Sequence, residues 1–344
     1  MTASLPTIQG YQPIPLPAGI YAPIPTAFIE DTEDLDLETT VRHAIRIAKA
    51  GVGIVTCGST GEATSMSSNE RAQVCLAIRT AFQQQGLQTP IVAGTGGGSL
   101  RETVSMCKDA KKSGADAVIV ISPSYFGANL QADRQGLINF FHSVADQSPL
   151  PVMVYNFPAV TNGIDMDSEL LEQISQHPNI CGAKLTCAGV GKLGRLANST
   201  SVKQVKRSTP FHAAPGFGDI IFPCMMIGAT LAIVGTANVV PRLCAQHFND
   251  IVQFQQSPSK ELLNQIQTDQ DIISRFDRAT SKTGIVGTKW MLERFYYKQG
   301  APRLPLRKLN IDFASMQEAV TPALQRERQL EQEQGITQDP IQMK

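Results

Sequence analysis

The chain has no excess of charge of either sign, because 30 basic residues balance 30 acidic ones among 344. Such a surface carries no global field to gather nucleic acid or an anionic bilayer, so neither is expected as a partner. No apolar run approaches the roughly 18 residues that a membrane span requires. No lysine or arginine precedes Arg42, so the charged head of a secretory signal and the arginines of a transit peptide are both missing, and the cytoplasm is the expected location. The stretch Gln338 to Lys344 matches no receptor-read address. The seven cysteines are odd in number, with no Cys-x-x-Cys pair and no zinc-like spacing. They read as reduced, mostly buried thiols, and no metal site is expected.

What is present is a chain rich enough in apolar residues, 42% against 17% charged, to bury a sizeable core. Residues 1–18 hold four prolines and little periodicity, which predicts an irregular arm. Eight short β-rich apolar runs then follow: Ile20 to Ile24, Gly53 to Cys57, Pro90 to Gly94, Ala117 to Ile121, Pro151 to Tyr155, Ile180 to Lys184, Phe211 to Ala214 and Leu231 to Val234. Helical patterns separate them, among them Ser67 to Gln85, Ser99 to Ser113, Asp133 to Asp146 and Asp167 to Gln176. Eight strands, each followed by a helix, predict a (β/α)8 TIM barrel over 19–255; an open doubly wound sheet is the alternative. Over 256–344 three further helical patterns (about 259–279, 283–299 and 314–335) predict a C-terminal helical extension packed on the barrel. Gln325 to Gln334, rich in Gln, Glu and Arg, reads as a solvated helix face.

Barrels of this kind place their chemistry at the carboxyl ends of the strands. Filtering by that rule leaves Gly58 to Glu62 after the second strand, Pro123-Ser124-Tyr125 after the fourth, Tyr155 to Pro158 after the fifth, and Lys184 ending the sixth. Lys184 interrupts an otherwise apolar strand. An ammonium facing the barrel interior loses hydration, which favours the neutral amine that attacks carbonyls. A lysine facing outward, or paired with a carboxylate, is the competing reading. Tyr155 offers a phenol for proton transfer, against a role as a plain core aromatic. The small residues and hydroxyls of Gly58 to Glu62, Ser59 and Thr60 among them, suit a carboxylate, and Glu62 reads as a structural cap. His212 falls on the seventh strand and is expected to be a packed, hydrogen-bonded core histidine.

Gly58-Ser59-Thr60-Gly61-Glu62, Tyr155-Asn156-Phe157-Pro158, Gly182-Ala183-Lys184 and Gly235-Thr236-Ala237-Asn238 occur in order, each at its own strand. In this the sequence resembles the dihydrodipicolinate synthase and N-acetylneuraminate lyase superfamily of class I pyruvate-dependent aldolases, over roughly residues 19–250. The resemblance implies that Lys184 forms the Schiff base and Tyr155 is the general acid/base. It implies that Ser59 and Thr60 bind the pyruvyl carboxylate, that Gly216 and Ile233 line the pocket, and that Tyr125 completes a proton relay, often across a dimer interface. It also implies no cofactor, a small 2-oxo acid as substrate, and a homo-oligomer, dimer or tetramer.

Two departures bear on the substrate. Dihydrodipicolinate synthases proper carry an arginine where this chain has Ala159-Val160-Thr161-Asn162, which disfavours lysine biosynthesis. The usual paired aromatics after the fourth strand are here Ser124-Tyr125. The segments Tyr155 to Gly163 and Lys184 to Cys187 look like the fungal branch of the superfamily, which includes L-threo-3-deoxy-hexulosonate aldolases, releasing pyruvate and L-glyceraldehyde. That branch borders 4-hydroxy-2-oxoglutarate aldolases, which release pyruvate and glyoxylate; Arg195 or Lys192 would then have to meet a distal carboxylate. A non-catalytic 2-oxo-acid binding barrel is a third reading.

Overall fold

The computed structural model describes residues 7–8, 10–337 and 339–342. The first six residues of the predicted arm, Gln9, and Gln338, Met343 and Lys344 of the terminal stretch lie outside the described residues. Eight parallel strands are present: β1 (Gly19–Pro23), β2 (Gly53–Thr56), β3 (Ile91–Gly94), β4 (Ala117–Ile121), β5 (Val152–Asn156), β6 (Ile180–Leu185), β7 (His212–Pro215) and β8 (Leu231–Ile233). Their order runs sequentially from β7 back to β1 and then to β8, so the last strand lies beside the first. That order is a (β/α)8 TIM barrel and excludes a doubly wound sheet, whose strand order reverses at a switch point.

The barrel separates two apolar layers. Inside it Leu16, Tyr21, Val55, Val92, Ile119, Met153, Tyr155, Cys181 and Ile233 pack together. A much larger cluster fills the space between the strands and the surrounding helices. The helices begin where the sequence places their caps: Ser67 accepts from Glu70 N and returns a capping box, and Ser99, Asp133 and Asp167 accept from the first turns of their own helices.

The irregular arm closes the amino-terminal end of the barrel. Leu16 joins the inner cluster at 1% exposure, and Tyr11 Oη and Ile14 N both donate to Asp116 Oδ1, at 2.6 and 2.9 Å. Asp116 Oδ2 receives Arg79 and Ile91 N at 2.6 and 2.7 Å, which makes one buried carboxylate the junction of the arm, β3 and the helix Ser68–Gln84. His212 bonds Thr230 Oγ1 at 2.8 Å and Leu16 O at 3.0 Å. It thus spans the seam between β7 and β8, the two ends of the hydrogen-bonded strand order, and is a satisfied core histidine.

After the helix Pro241–Gln256, the chain adds the helices Lys260–Ser281, Gly284–Phe295 and Gln317–Glu333. The last of these corrects one expectation, since the Gln325 to Gln334 face is not wholly solvated. Glu327 and Glu331 are buried. The Glu327 carboxylate accepts from Arg242 N and Leu243 N in the first turn of Pro241–Gln256, at 3.2 and 2.9 Å. Glu331 accepts from Ile341 N at 2.8 Å. Helix-start amides have no partner within their own helix, so an anion from a neighbouring helix is drawn to them.

All seven cysteines are free, and only Cys187 is not fully buried. Among the described residues, no helix is long and apolar enough to cross a membrane, and no cluster of His, Cys, Asp or Glu is arranged to hold a metal.

Candidate active site

Whether Lys184 faces inward is decided by a register shift. Strands β5 and β6 pair Val152 with Ile180 but Met153 with Gly182, so β6 carries one extra residue, Cys181. Side chains alternate faces along a strand, and such an insertion reverses the parity beyond it. Cys181 therefore belongs to the inner cluster while Ala183 and Leu185 pack in the outer one, and Lys184 points into the barrel. Gly182 sits at this shift, where a Cβ would stand 2.4 Å from His212 O.

Lys184 pairs in register with Tyr155 on one side and Ala214 on the other. Its Nζ stands 4.6 Å from the centre of the Tyr155 ring. The lysine is 5% exposed, and burial lowers its pKa from 10.5 to about 7. No salt bridge joins it to any carboxylate among the described residues. Lys289, the other lysine buried among the described residues, is by contrast paired with Glu62 at 2.6 Å. At neutral pH a large share of Lys184 is thus the free amine, and the alternative of an outward or ion-paired side chain falls away.

Tyr155 is 6% exposed and stacks on Phe157 at 5.7 Å between ring centres. Burial lifts its phenol to about 12, while the Thr186 and Ser59 hydroxyls pull the other way. Ser59 and Thr60 occupy a turn bounded by two non-glycine residues in the left-handed region, Cys57 (φ 52°) and Glu62 (φ 57°). Glu62 N donates to Ser59 O at 3.0 Å, Ala63 N to Gly58 O at 3.2 Å, and Thr26 Oγ1 to Gly61 O at 2.8 Å. The turn is held at both ends, just after β2, and its Ser59 hydroxyl lies beside the Tyr155 phenol.

Gly216 follows β7, its N–H donating to Leu185 O at 3.1 Å. Ile233 is fully buried in the inner cluster that also contains Tyr155. Tyr125 is not brought to the others within this chain: it is 87% exposed in the loop after β4, edge-on to Phe126 at 5.0 Å. Lys192 is held by Asp165, which also accepts from Asn156 Nδ2, and Arg195 Nε donates to Ser168 Oγ at 2.8 Å.

Thr186 is a residue the sequence reading did not single out. It lies two positions beyond Lys184 and so on the same face, its N–H continuing the ladder to Asn156 O at 2.9 Å. Its Oγ1 is buried without a partner at full hydrogen-bond geometry, so its influence on the Tyr155 phenol is that of a neighbour rather than a bonded group. An unpaired buried hydroxyl beside an amine and a phenol is equipped to receive a polar substrate group. The two-residue spacing from Lys184 was the available signal.

The chain is a barrel enzyme of the carbon–carbon lyase class, as its relatives show. The Dihydrodipicolinate synthetase family profile matches residues 17–325. The chain is 37% identical over 335 residues to an L-threo-3-deoxy-hexylosonate aldolase of Aspergillus niger, with 92% of this chain and 98% of that protein covered. It is 36% identical to a probable mitochondrial 4-hydroxy-2-oxoglutarate aldolase of Emericella nidulans, covering 92% and 98%. Among solved structures it resembles the dihydrodipicolinate synthase of Acinetobacter baumannii complexed with pyruvate, at TM-score 0.77 and 25% identity, covering 91% and 99%. This chain belongs to the dihydrodipicolinate synthetase family.

Proposed function

We propose that this enzyme is a class I aldolase cleaving a 2-oxo-3-deoxy sugar acid, such as L-threo-3-deoxy-hexulosonate, to pyruvate and an aldehyde such as L-glyceraldehyde. The observation that carries this reading is the unpaired, buried Lys184 amine beside the Tyr155 phenol. In the reaction, the neutral amine adds to C2 of the substrate to give a carbinolamine. The phenol, protonated at neutral pH because burial raises it, donates to the departing hydroxyl. Water leaves, and a cationic iminium remains beside a phenolate. The phenolate then takes the C4 hydroxyl proton as the C3 to C4 bond breaks, and the iminium receives the electron pair as an enamine. Proton return to C3 and hydrolysis release pyruvate and restore Lys184. Ser59 and Thr60 bind the carboxylate, and Gly216 and Ile233 line the pocket.

Two further assignments accompany this one. The exposed aromatics Tyr125 and Phe126 and the exposed Val160 suit a contact between copies in a homo-oligomer, through which Tyr125 would reach the relay of another copy. The free thiols suit a reducing compartment such as the cytoplasm.

The sugar acid is favoured over 4-hydroxy-2-oxoglutarate by the engagement of Lys192 with Asp165 and of Arg195 Nε with Ser168, which draws both cations away from a distal carboxylate. Thr161 and Asn162, where dihydrodipicolinate synthases place their arginine, instead bond Phe157 O and Ser124 O. The test is borohydride reduction with pyruvate, then mass mapping, followed by specificity constants for the two substrates. A stable adduct on Lys184 and preference for the sugar acid are expected. Absence of any adduct would leave only a non-catalytic binding barrel.

A further inference from the structure

The turn that presents Ser59 and Thr60 is fastened from outside the barrel. Glu62, which ends it, has left-handed backbone angles (φ 57°, ψ 37°) that a residue with a side chain adopts only when its surroundings hold it there. Its carboxylate is buried and has two partners. Lys289 Nζ, from the helix Gly284–Phe295, lies 2.6 Å away with its side chain 3% exposed, and Arg303 N donates at 2.9 Å.

The same segment grips the neighbouring mouth loops. The Arg303 guanidinium donates to Ser65 O, Glu33 O and Glu70 Oε1 at 2.5–2.9 Å. Both cations meet the Phe28 ring, with Lys289 Nζ 4.5 Å and Arg303 Cζ 4.4 Å from its centre. Gly300 (φ 70°) permits this approach, because a Cβ there would fall 1.8 Å from Phe28 O. The contact between the C-terminal segment and the mouth is therefore close and ionic, and it terminates on the turn that carries the two hydroxyls.

We propose that Lys289 is a positioning residue for substrate: through Glu62 it fixes the Gly58 to Glu62 turn and so sets the affinity for the carboxylate of the 2-oxo acid. This rests on the reading of Ser59 and Thr60 as the carboxylate site. Without the ammonium, the Glu62 carboxylate has lost the charge that makes burial tolerable and must move toward water, which unwinds the left-handed residue and displaces the amides and hydroxyls before it. Lys184 stands on another strand, and its amine is unaffected. A carbonyl compound lacking a carboxylate senses the change only through the contact of Ser59 with the Tyr155 phenol, and so much less.

The experiment compares borohydride trapping of pyruvate and of hydroxyacetone, a small ketone without a carboxylate, on the parent enzyme and on Lys289→Met. Should a lone buried Glu62 prevent folding, Glu62→Gln/Lys289→Met removes both charges and serves instead; Lys289→Arg is the conservative control. The pyruvate concentration for half-maximal trapping is expected to rise tenfold or more in the variant, with that for hydroxyacetone changed less than twofold and with Lys289→Arg recovering most of the loss. Equal shifts for both ketones, or no shift for either, overturn the proposal. Failure of the parent enzyme itself to trap pyruvate would instead remove the Schiff-base reading beneath it.

Discussion

A Cβ placed on Gly216 would lie 2.0 Å from Thr186 Oγ1, so the residue after β7 and the residue after β6 share space that only a glycine leaves open. This close approach aims the Thr186 hydroxyl, because any side chain at 216 must push it aside. Gly216→Ala is expected to lower kcat/KM about 100-fold, the scale of a displacement near 1 Å at a reacting centre. Steady-state kinetics on the sugar acid measure it, and activity within a few-fold of the parent would show that Thr186 has room to yield.

The Lys184 amine falls from 10.5 to about 7 because of burial, which fixes two pH dependences. The nucleophile is the neutral amine, so adduct formation with pyruvate is expected to rise as pH increases through about 7 and then level off. Stability follows the same shift. The unfolded chain keeps the proton up to 10.5 while the folded one releases it at about 7, so the lysine costs most below 7 and the cost fades as pH climbs to 10.5. Lys184→Met is therefore expected to be inactive but more stable at neutral pH by on the order of 4 kcal/mol. Urea unfolding at the two ends of that window provides the check, and a variant no more stable than the parent contradicts the burial cost.

Tyr155→Phe keeps the stacking on Phe157 and removes only the phenolic oxygen. Turnover is expected to drop by about 10²–10⁴, the usual contribution of one acid/base group. Adduct formation at Lys184 should slow but persist, because water can carry the proton inefficiently. Rapid-quench measurement separates the two steps; undiminished cleavage would assign the proton transfer elsewhere.

Asp116 is the corresponding test at the closed end. Asp116→Ala leaves Arg79 buried without its 2.6 Å partner and frees the arm residues Tyr11 and Ile14. A loss of about 3–5 kcal/mol in unfolding free energy is expected. Protein that remains folded should have an unchanged KM, since the site lies at the opposite end of the strands. A large KM change would mean that the two ends are coupled.

Much of this was legible in the residues because local signals agreed. The run from Ala117 to Ile121 is β4 to the residue, and the serine and aspartate caps mark helix starts directly. Lys184 could be picked out as a charge in an apolar strand, but its direction could not. Ile180 to Leu185 has no alternation of polar and apolar residues, so only the Cys181 insertion, a property of pairing with β5, turns the lysine inward. Lys289 is hidden for a related reason. Within Gly284–Phe295 it reads as an ordinary cation on a helix, and its partner is a carboxylate whose position only the folded chain reveals. Glu327 and Glu331 were misread in the same way, as their buried partners belong to other segments. Tyr125 was picked out by its place after the fourth strand, but its relay role came through resemblance alone, and its 87% exposure leaves that role to be tested in the assembled protein.

The arm that stoppers the barrel beneath β1 also has a practical geometry. Ile8 donates to Lys112 O and Leu16 enters from the end opposite Lys184, so Ile8 itself lies on the side away from the reaction. A support or fusion partner attached there stands clear of incoming sugar acid. One attached near Gly300 would bear directly on the loops that surround the entrance.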